Sequence, residues 1–147
     1  MPPSRSAHPD HDNSQDMIGL DTNVIVRYLT HDDPTQTAAA VRLIDSLSSD
    51  SPGFLSMIVT VELVWVLETS YRFRKREIEQ VLETLMRSKE LVIERAEVVA
   101  QALRKFRASR ADFADCLIER CGHAVECKHT VTFDQNAAAG TGMLLLR

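Results

Sequence analysis

Four acidic residues lie in four separate segments of the sequence, each beside or within an apolar run. Asp21 ends the run IGLD, and Glu62 interrupts the run MIVTVELVWVL. Asp115 lies within ADFADCLI, and Asp134 follows VTF. A carboxylate in apolar surroundings costs free energy unless it is paired, protonated or bound to a cation. If the fold gathers these four side chains, we expect them to form a pocket for a divalent metal ion.

Each acid also has a purely structural explanation. Asp21 precedes a helix and can cap it, although Thr22 can cap that helix equally well and leave Asp21 free. Asp134 can serve in a turn or as a cap. Glu62 is the hardest to explain, because its neighbours one helical turn away are all apolar: Ile58, Val59, Trp65 and Val66. A buried ion pair with an arginine is the alternative there.

The third segment contains two acids in a D-x-x-D step that opens a helix. This step is typical of a capping arrangement, with Asp112 as the cap and Asp115 in the first turn. Glu119 follows one turn later, so the three acids form a ridge along the helix. Like charges at this spacing destabilise a helix mildly when no cation is present.

The electrostatics of a converged cluster favour a hard cation. Two carboxylates about 4 Å apart repel by roughly 4 kcal/mol at an effective dielectric near 20. Ligands that are all oxygen favour Mg²⁺ or Mn²⁺ over zinc. Thr132, two residues before Asp134, offers a hydroxyl beside the same cluster.

Short apolar runs alternate with longer helical stretches along the chain. The pattern predicts strands at 17–21, 53–56, 91–94, 129–133 and 143–146. It predicts helices at 23–30, 34–47, 57–72, 75–88, 95–107 and 112–121, the last ending before Gly122. The helix at 57–72 is apolar nearly all round, which is typical of a buried helix.

Strands that alternate with helices predict a three-layer α/β/α fold, with a central, mostly parallel sheet flanked by helices. Functional groups gather at the carboxyl ends of strands in such sheets, which is where Asp21 and Asp134 fall. Residues 1–16 are polar and contain three prolines, so we expect a disordered tail followed by one domain at 17–147.

The composition indicates the cellular environment of the protein and limits the kinds of partner that it could bind. No apolar run approaches the length of a membrane span, and three cysteines without metal-finger spacing suggest reduced thiols in a cytoplasm. The net charge of −4 argues against a broad basic surface that binds nucleic acid, but not against a local one. Two basic stretches could contact phosphates, one at 72–76 and one formed by Arg104, Lys105, Arg107 and Arg110. The second leads directly into Asp112.

Together these segments resemble the PIN-domain family, and within it the VapC-type ribonuclease toxins. DTNVIVRYLTHDDP is similar to the family's opening strand and helix, and SMIVTVELVWVL to its second motif. ADFADCLI resembles the third motif and VTFD the fourth. The resemblance implies a Mg²⁺ or Mn²⁺ site, endonucleolytic cleavage of RNA, and inhibition by a co-expressed antitoxin protein. It also implies a homodimer or a toxin–antitoxin hetero-oligomer.

Carried onto this chain, the resemblance implies catalytic and metal-binding roles for Asp21, Glu62, Asp115 and Asp134, the last acting directly or through water. Asp112 either shares the metal or only caps its helix. The supporting residues that match the family are Thr22, Asn23 and Thr132. Small residues often follow the third acid in the family, whereas Glu119 lies there in this chain.

Three other functions remain open from the sequence. The chain could be a PIN-fold binding or regulatory module without catalysis, although it has all four acids. It could be a phosphoaspartate enzyme that uses Asp21 as nucleophile, but such enzymes typically have D-x-D-x-T, and Asn23 stands at the second acidic position. It could be a metal-dependent nuclease directed at DNA, since contacts to the 2′-hydroxyl leave no motif.

Overall fold

The computed structural model describes residues 16–147, so the predicted polar tail lies outside the described residues except for Asp16. The strands are β1 (Ile18–Gly19), β2 (Gly53–Leu55), β3 (Leu91–Ile93), β4 (Val131–Thr132) and β5 (Leu144–Leu145). Each of the five predicted strands is confirmed, although each is shorter than its apolar run.

Every strand pairing is parallel, as the alternation of strands and helices predicts. The strands β1, β2 and β3 form one sheet with β2 in the centre, and β4 pairs with β5 in a second sheet. The predicted α/β class with parallel strands and flanking helices is confirmed, but the strands are divided between two sheets. The backbone N–H groups of Ile18 and Leu20 at β1 donate to the carbonyls of Pro52 and Phe54 at β2.

Seven helices connect the strands in residues 16–147. They are α1 (Thr22–Thr30), α2 (Pro34–Ser46), α3 (Met57–Ser70), α4 (Lys75–Arg87), α5 (Ala96–Ala108), α6 (Phe113–Ala124) and α7 (Gln135–Thr141). The first six confirm the six predicted helices, whereas the pattern did not predict α7. None of the seven is long and apolar enough to cross a membrane.

The end of α6 differs from the prediction. Gly122 does not stop the helix but lies inside it, and the helix ends at Ala124. A Cβ atom at Gly122 would lie 2.6 Å from the hydroxyl oxygen of Thr130. The close approach of the segment that leads into β4, and not a helix cap, is therefore what favours glycine at this position.

The burial of α3 also differs from the prediction, because only one side of this helix faces the core. Leu63 and Leu67 are fully buried, whereas Ile58 is 77% exposed and Trp65 is 62% exposed. No element described in residues 16–147 covers that outer side. By contrast, the apolar faces predicted for α4 and α5 are buried, and Phe113 at the start of α6 packs edge-on against Phe106 of α5.

Candidate functional site

The first acid lies where β1 ends and α1 begins. Asp21 caps α1 by accepting a hydrogen bond from the backbone N–H of Thr22 at 2.8 Å. The prediction that Thr22 could take over this capping role is wrong, because the Thr22 side chain is buried and donates its hydroxyl to Glu62 Oε1. One oxygen of the exposed Asp21 carboxylate is thus used by the cap.

The second acid is more exposed than its apolar neighbours predicted. Glu62 lies on the partly uncovered side of α3, and its side chain forms no ion pair with any described residue. The prediction of a buried apolar face, and the alternative of an arginine partner, are therefore both wrong. The hydroxyl of Thr22 connects Glu62 to the residue directly after Asp21, which brings the first two acidic segments together.

The third segment places two carboxylates at the start of α6. Asp112 caps the helix by accepting a hydrogen bond from the Asp115 backbone N–H at 2.8 Å. The pKa of Asp115 is raised to about 6, first by burial and then by the charge of Asp112, a side-chain hydrogen bond to Asp112 and the charge of Asp134. The third and fourth acidic segments therefore meet at Asp115.

The fourth acid lies at the end of β4, as the sequence predicts. Asp134 caps α7 by accepting hydrogen bonds from the backbone N–H groups of Asn136 at 2.8 Å and Ala137 at 3.2 Å. Its own N–H donates to the hydroxyl of Thr132 at 3.0 Å. Thr132 thus positions the backbone of the acid, which gives this predicted supporting residue a definite structural task.

A groove of about 480 Å³ lies between the second and third acidic segments, and Asp21, Asp115 and Asp134 are not among its lining residues. It runs between the outer side of α3 and the start of α6, and Glu62, Asp112 and Glu68 all line it. Burial raises the pKa of Glu68, and the charge of Asp112 raises it further. Sequence reasoning missed Glu68, and the available signal was its position as a second acid in an otherwise apolar helix.

The donor chemistry of these residues fits Mg²⁺ or Mn²⁺, because every side chain offers hard oxygen atoms. In residues 16–147, however, no three His, Cys, Asp or Glu side chains are already gathered closely enough to hold an ion. Asp21, Asp112 and Asp134 each direct an oxygen to a backbone N–H, and carboxylates without a cation between them repel one another. Burial is the main reason that the pKa of Asp115 is raised, and the charges of Asp112 and then Asp134 raise it further.

Glu119 does not extend the acidic cluster, contrary to the ridge of three acids expected on α6. It accepts hydrogen bonds from Arg120 Nε at 2.7 Å and from Lys105 Nζ at 2.7 Å. The contact with Arg120, followed by that with Lys105, lowers the pKa of Glu119 to about 2. Lys105 also donates to the carbonyl of Thr141 at the end of α7, so it joins α5, α6 and α7.

The four basic residues predicted to contact RNA divide into two kinds. Lys105 already donates to Glu119 and to the carbonyl of Thr141. Arg107 pairs with Glu79 at 3.0 Å and with Glu83. Arg104 and Arg110 are exposed, and within the described residues neither takes part in an ion pair. Only this second pair has its charge available for a phosphate.

Comparison with known proteins identifies a family whose sequence pattern this chain matches. The sequence matches the PIN domain family over residues 18–140, a range that contains all four acidic segments. It is also similar to a VapC ribonuclease from Aquifex aeolicus (strain VF5), with 24% identity over 115 residues. That similarity covers 78% of this chain and 84% of the relative.

Proposed function

The chain belongs to the PIN-domain family, and we propose that it is a metal-dependent endoribonuclease. Asp21, Glu62, Asp115 and Asp134 are the proposed ligands of Mg²⁺ or Mn²⁺, with Asp112 at the edge of the same site. One observation carries this proposal: burial and the neighbouring carboxylate of Asp112 raise the pKa of Asp115 to about 6, and the charge of Asp134, from a distant segment, adds to the rise. Such an arrangement costs stability and is retained at functional sites.

The chain's own residues have distinct tasks in this proposal. The Thr22 hydroxyl holds one oxygen of Glu62 and leaves the other available to a cation. Thr132 holds the backbone of Asp134, and the Asn136 and Ala137 N–H groups fix one of its carboxylate oxygens. When bound, a divalent ion would lower the pKa of a water molecule and hold the scissile phosphate. No side chain is needed as a covalent nucleophile.

RNA is the proposed substrate because the similar Aquifex protein is named a ribonuclease. Arg104 and Arg110 are the proposed phosphate contacts, since their charges are free of ion pairs among the described residues. Reversal of both charges should weaken RNA binding. It should also reduce the slope of log affinity against log salt concentration by about one for each phosphate contact that is lost. Charge reversal at Arg42, an exposed residue of α2, is the control.

The proposed protein partner is a cognate antitoxin, and the proposed assembly is a homodimer or a toxin–antitoxin hetero-oligomer in the cytoplasm. The groove beside α3 supports such a contact, since it exposes Ile58 and Trp65 next to the carboxylates of Glu68 and Asp112. An apolar segment that carries a basic residue would complement this surface. Expression of the wild-type protein should arrest growth, and co-expression of the antitoxin should relieve that arrest. The antitoxin should fail to relieve the arrest caused by Trp65→Lys.

The test of the proposed function is cleavage of one sequence supplied as RNA and as DNA, by the purified protein with Mg²⁺ or Mn²⁺. We expect internal cleavage of the RNA, abolished in Asp21→Asn and Asp115→Asn. Asp50→Asn, an exposed substitution in the loop after α2, should retain full activity. Cleavage of DNA alone would indicate the DNA-directed alternative, and full activity of Asp115→Asn would contradict the assigned site.

Two further outcomes test the remaining alternatives. Binding of RNA without cleavage under any divalent ion would indicate a non-catalytic PIN-fold module. Release of phosphate from a generic monoester, lost in Asp21→Asn, would indicate a phosphoaspartate enzyme. The position of Asn23 after Thr22 speaks against that last alternative, because the second aspartate of the D-x-D pattern is missing.

A further inference from the structure

A cleft of about 210 Å³ lies between α4 and α5. Its charged lining residues are Arg87, Arg104, Arg107 and Glu83, so three guanidinium groups face one carboxylate. The whole chain, in contrast, carries a net charge of −4. A local excess of positive charge in an acidic protein favours an anionic occupant of the cleft.

The ion pairs in the cleft leave two of its three arginines without a partner. Arg107 of α5 binds Glu83 and also binds Glu79 of α4 at 3.0 Å. Glu83 lies one helical turn before Arg87, a spacing at which the two would ordinarily pair, but Glu83 Oε1 is bound to Arg107 instead. Arg104 has no acidic residue one turn away in either direction along α5. Within residues 16–147, neither Arg87 nor Arg104 forms an ion pair.

The size and donors of the cleft fit a phosphate group. Pockets that enclose a small organic ligand typically have volumes of roughly 300–1,000 Å³, which is larger than this cleft. A guanidinium group presents a planar fork of N–H donors that matches two oxygens of one phosphate. The apolar part of the lining is formed by Met86, Ala100 and Leu103, and the aliphatic stems of arginines pack well on such a surface. Two forks, one from each helix, can therefore hold one phosphate between them.

Contacts connect this cleft to the start of α6, where the third acidic segment lies. Lys75, the first residue of α4, donates to the carbonyl of Ser109 at 2.6 Å. The ammonium group of Lys75 also lies 5.0 Å from the centre of the Phe106 ring. That ring packs edge-on against Phe113, the residue directly after Asp112. The Lys75 end of the α4–α5 pair is therefore joined to the segment that carries the acids.

Helix geometry sets the distance between the cleft and the acids. With a rise of about 1.5 Å per residue, Glu83 and Arg87 lie about 12 and 18 Å from Lys75 along α4. Stacked nucleotides advance by about 3.4 Å each along one strand. A phosphate in the cleft is thus several nucleotides away from a bond cleaved at the acids, beyond the reach of a very short RNA.

We propose that Arg87 and Arg104 together hold one backbone phosphate of the RNA substrate in the cleft between α4 and α5. This inference rests on the proposed function and deepens it. It gives Arg104 a second arginine and a shared phosphate at a defined distance from the cleaved bond. A contact to the backbone does not read the base sequence, so this site raises the affinity for long RNA of any sequence.

An acidic protein segment is the competing occupant, because a carboxylate fits the same guanidinium fork. The charges of the chain favour RNA. The proposed catalytic site consists of carboxylates that repel the phosphates they must approach, so attraction for RNA has to come from another part of the surface. The groove beside α3, where a protein partner is proposed, is lined by acids and complements a basic partner instead.

The first experiment measures the binding of a long single-stranded RNA in buffer with a chelator, where no metal supports cleavage. Arg87→Gln and Arg104→Gln should each raise Kd about three- to ten-fold. The double variant should lose little more than the weaker-binding single variant, because both arginines hold the same phosphate. It should lower the slope of log affinity against log salt concentration by about one, and not by two. Arg42→Gln, an exposed substitution on α2, is the control and should leave Kd unchanged.

The second experiment measures kcat and KM with Mn²⁺ on two RNAs that share one mapped cleavage site. The short RNA extends only two nucleotides beyond the cleaved bond on each side, and the long RNA extends far enough to reach the cleft. The double variant should raise KM on the long RNA about ten-fold with little change in kcat, and on the short RNA less than about two-fold. Thermal unfolding of both single variants should match the wild type, since both side chains are exposed.

Equal affinity of the double variant and the wild type for the long RNA, or losses that simply add, would overturn the shared site and leave the nuclease proposal intact. Calorimetry with inorganic phosphate separates a further case: phosphate binding that is lost in the double variant without any loss of RNA affinity would indicate a site for free phosphate. Loss of a protein assembly with RNA binding unchanged would indicate an acidic partner. Both results would contradict the proposal, whereas absence of RNA cleavage by the wild type would count against the proposed function.

Discussion

Asp115→Asn should stabilise the metal-free protein while it abolishes cleavage. Burial and the charges of Asp112 and Asp134 raise the pKa of Asp115 from 3.8 to about 6, so its ionised form is disfavoured in the fold. A rise of that size corresponds to about 3 kcal/mol at a pH above 6. Because the side chain is partly solvated, screening reduces the expected gain to about 1–2 kcal/mol. For a chain of this length the gain corresponds to a rise in Tm of roughly 2–6 °C.

The stability gained by Asp115→Asn should depend on pH in a definite direction. The folded-state pKa lies above the unfolded one, so the folded protein holds its proton more tightly. The ionised carboxylate therefore destabilises the fold fully above about pH 6, and this penalty fades as the pH falls towards 3.8. The advantage of Asp115→Asn should be largest at pH 7.5 and fall to about a third at pH 4.5.

Thermal unfolding followed by circular dichroism, in buffer with a chelator, is the assay. Asp50→Asn removes the same charge from an exposed loop position and should leave Tm nearly unchanged at both pH values. Added Mn²⁺ should raise the Tm of the wild type more than that of Asp115→Asn. A variant that is no more stable than the wild type at pH 7.5, or whose gain is the same at both pH values, would refute the account of a repelled carboxylate.

Three further substitutions test how the site is supported. Gly140→Ala should cost about 1–3 kcal/mol in urea unfolding, since the new Cβ would lie 2.6 Å from Ala111 Cβ, and Ala111→Gly in the same chain should restore part of the loss. Lys105→Met should cost about 1–3 kcal/mol because Glu119 and a helix-end carbonyl lose their shared donor, while Lys105→Arg should cost less. Phe113→Ala should cost about 3–5 kcal/mol by thermal unfolding, and Phe113→Leu clearly less, because the ring is buried in the core.

The sequence was sufficient where the signal is local. Asp21 and Asp134 each follow an apolar run directly, and the structure places both at the end of a strand. The helix starts follow equally local chemistry, as at Pro34 with its Asp33 cap. The resemblance to the family's four motifs then combined the four acidic segments into one predicted metal site, which no single acid indicates by itself.

The sequence was insufficient where the answer depends on distant contacts. Glu62 lies in a helix that is apolar all round, so its exposure could not be read from its neighbours; it follows from which side of α3 the rest of the fold covers. Glycine commonly ends a helix, but Gly122 lies inside α6, where the close approach of Thr130 favours a residue without a side chain. The pairing of Glu119 with Lys105 joins residues on two different helices, so no spacing along one helix predicts it.

Titration of Mn²⁺ into the wild type and into four single variants tests most directly whether the acids form one site. The variants are Asp21→Asn, Glu62→Gln, Asp115→Asn and Asp134→Asn, with Asp50→Asn as the control. Isothermal calorimetry should show each of the four variants binding Mn²⁺ at least about ten-fold more weakly than the wild type and the control, a loss of about 1.4 kcal/mol in binding free energy. Undiminished Mn²⁺ affinity in any two of the four would contradict a single metal site built from four separate segments.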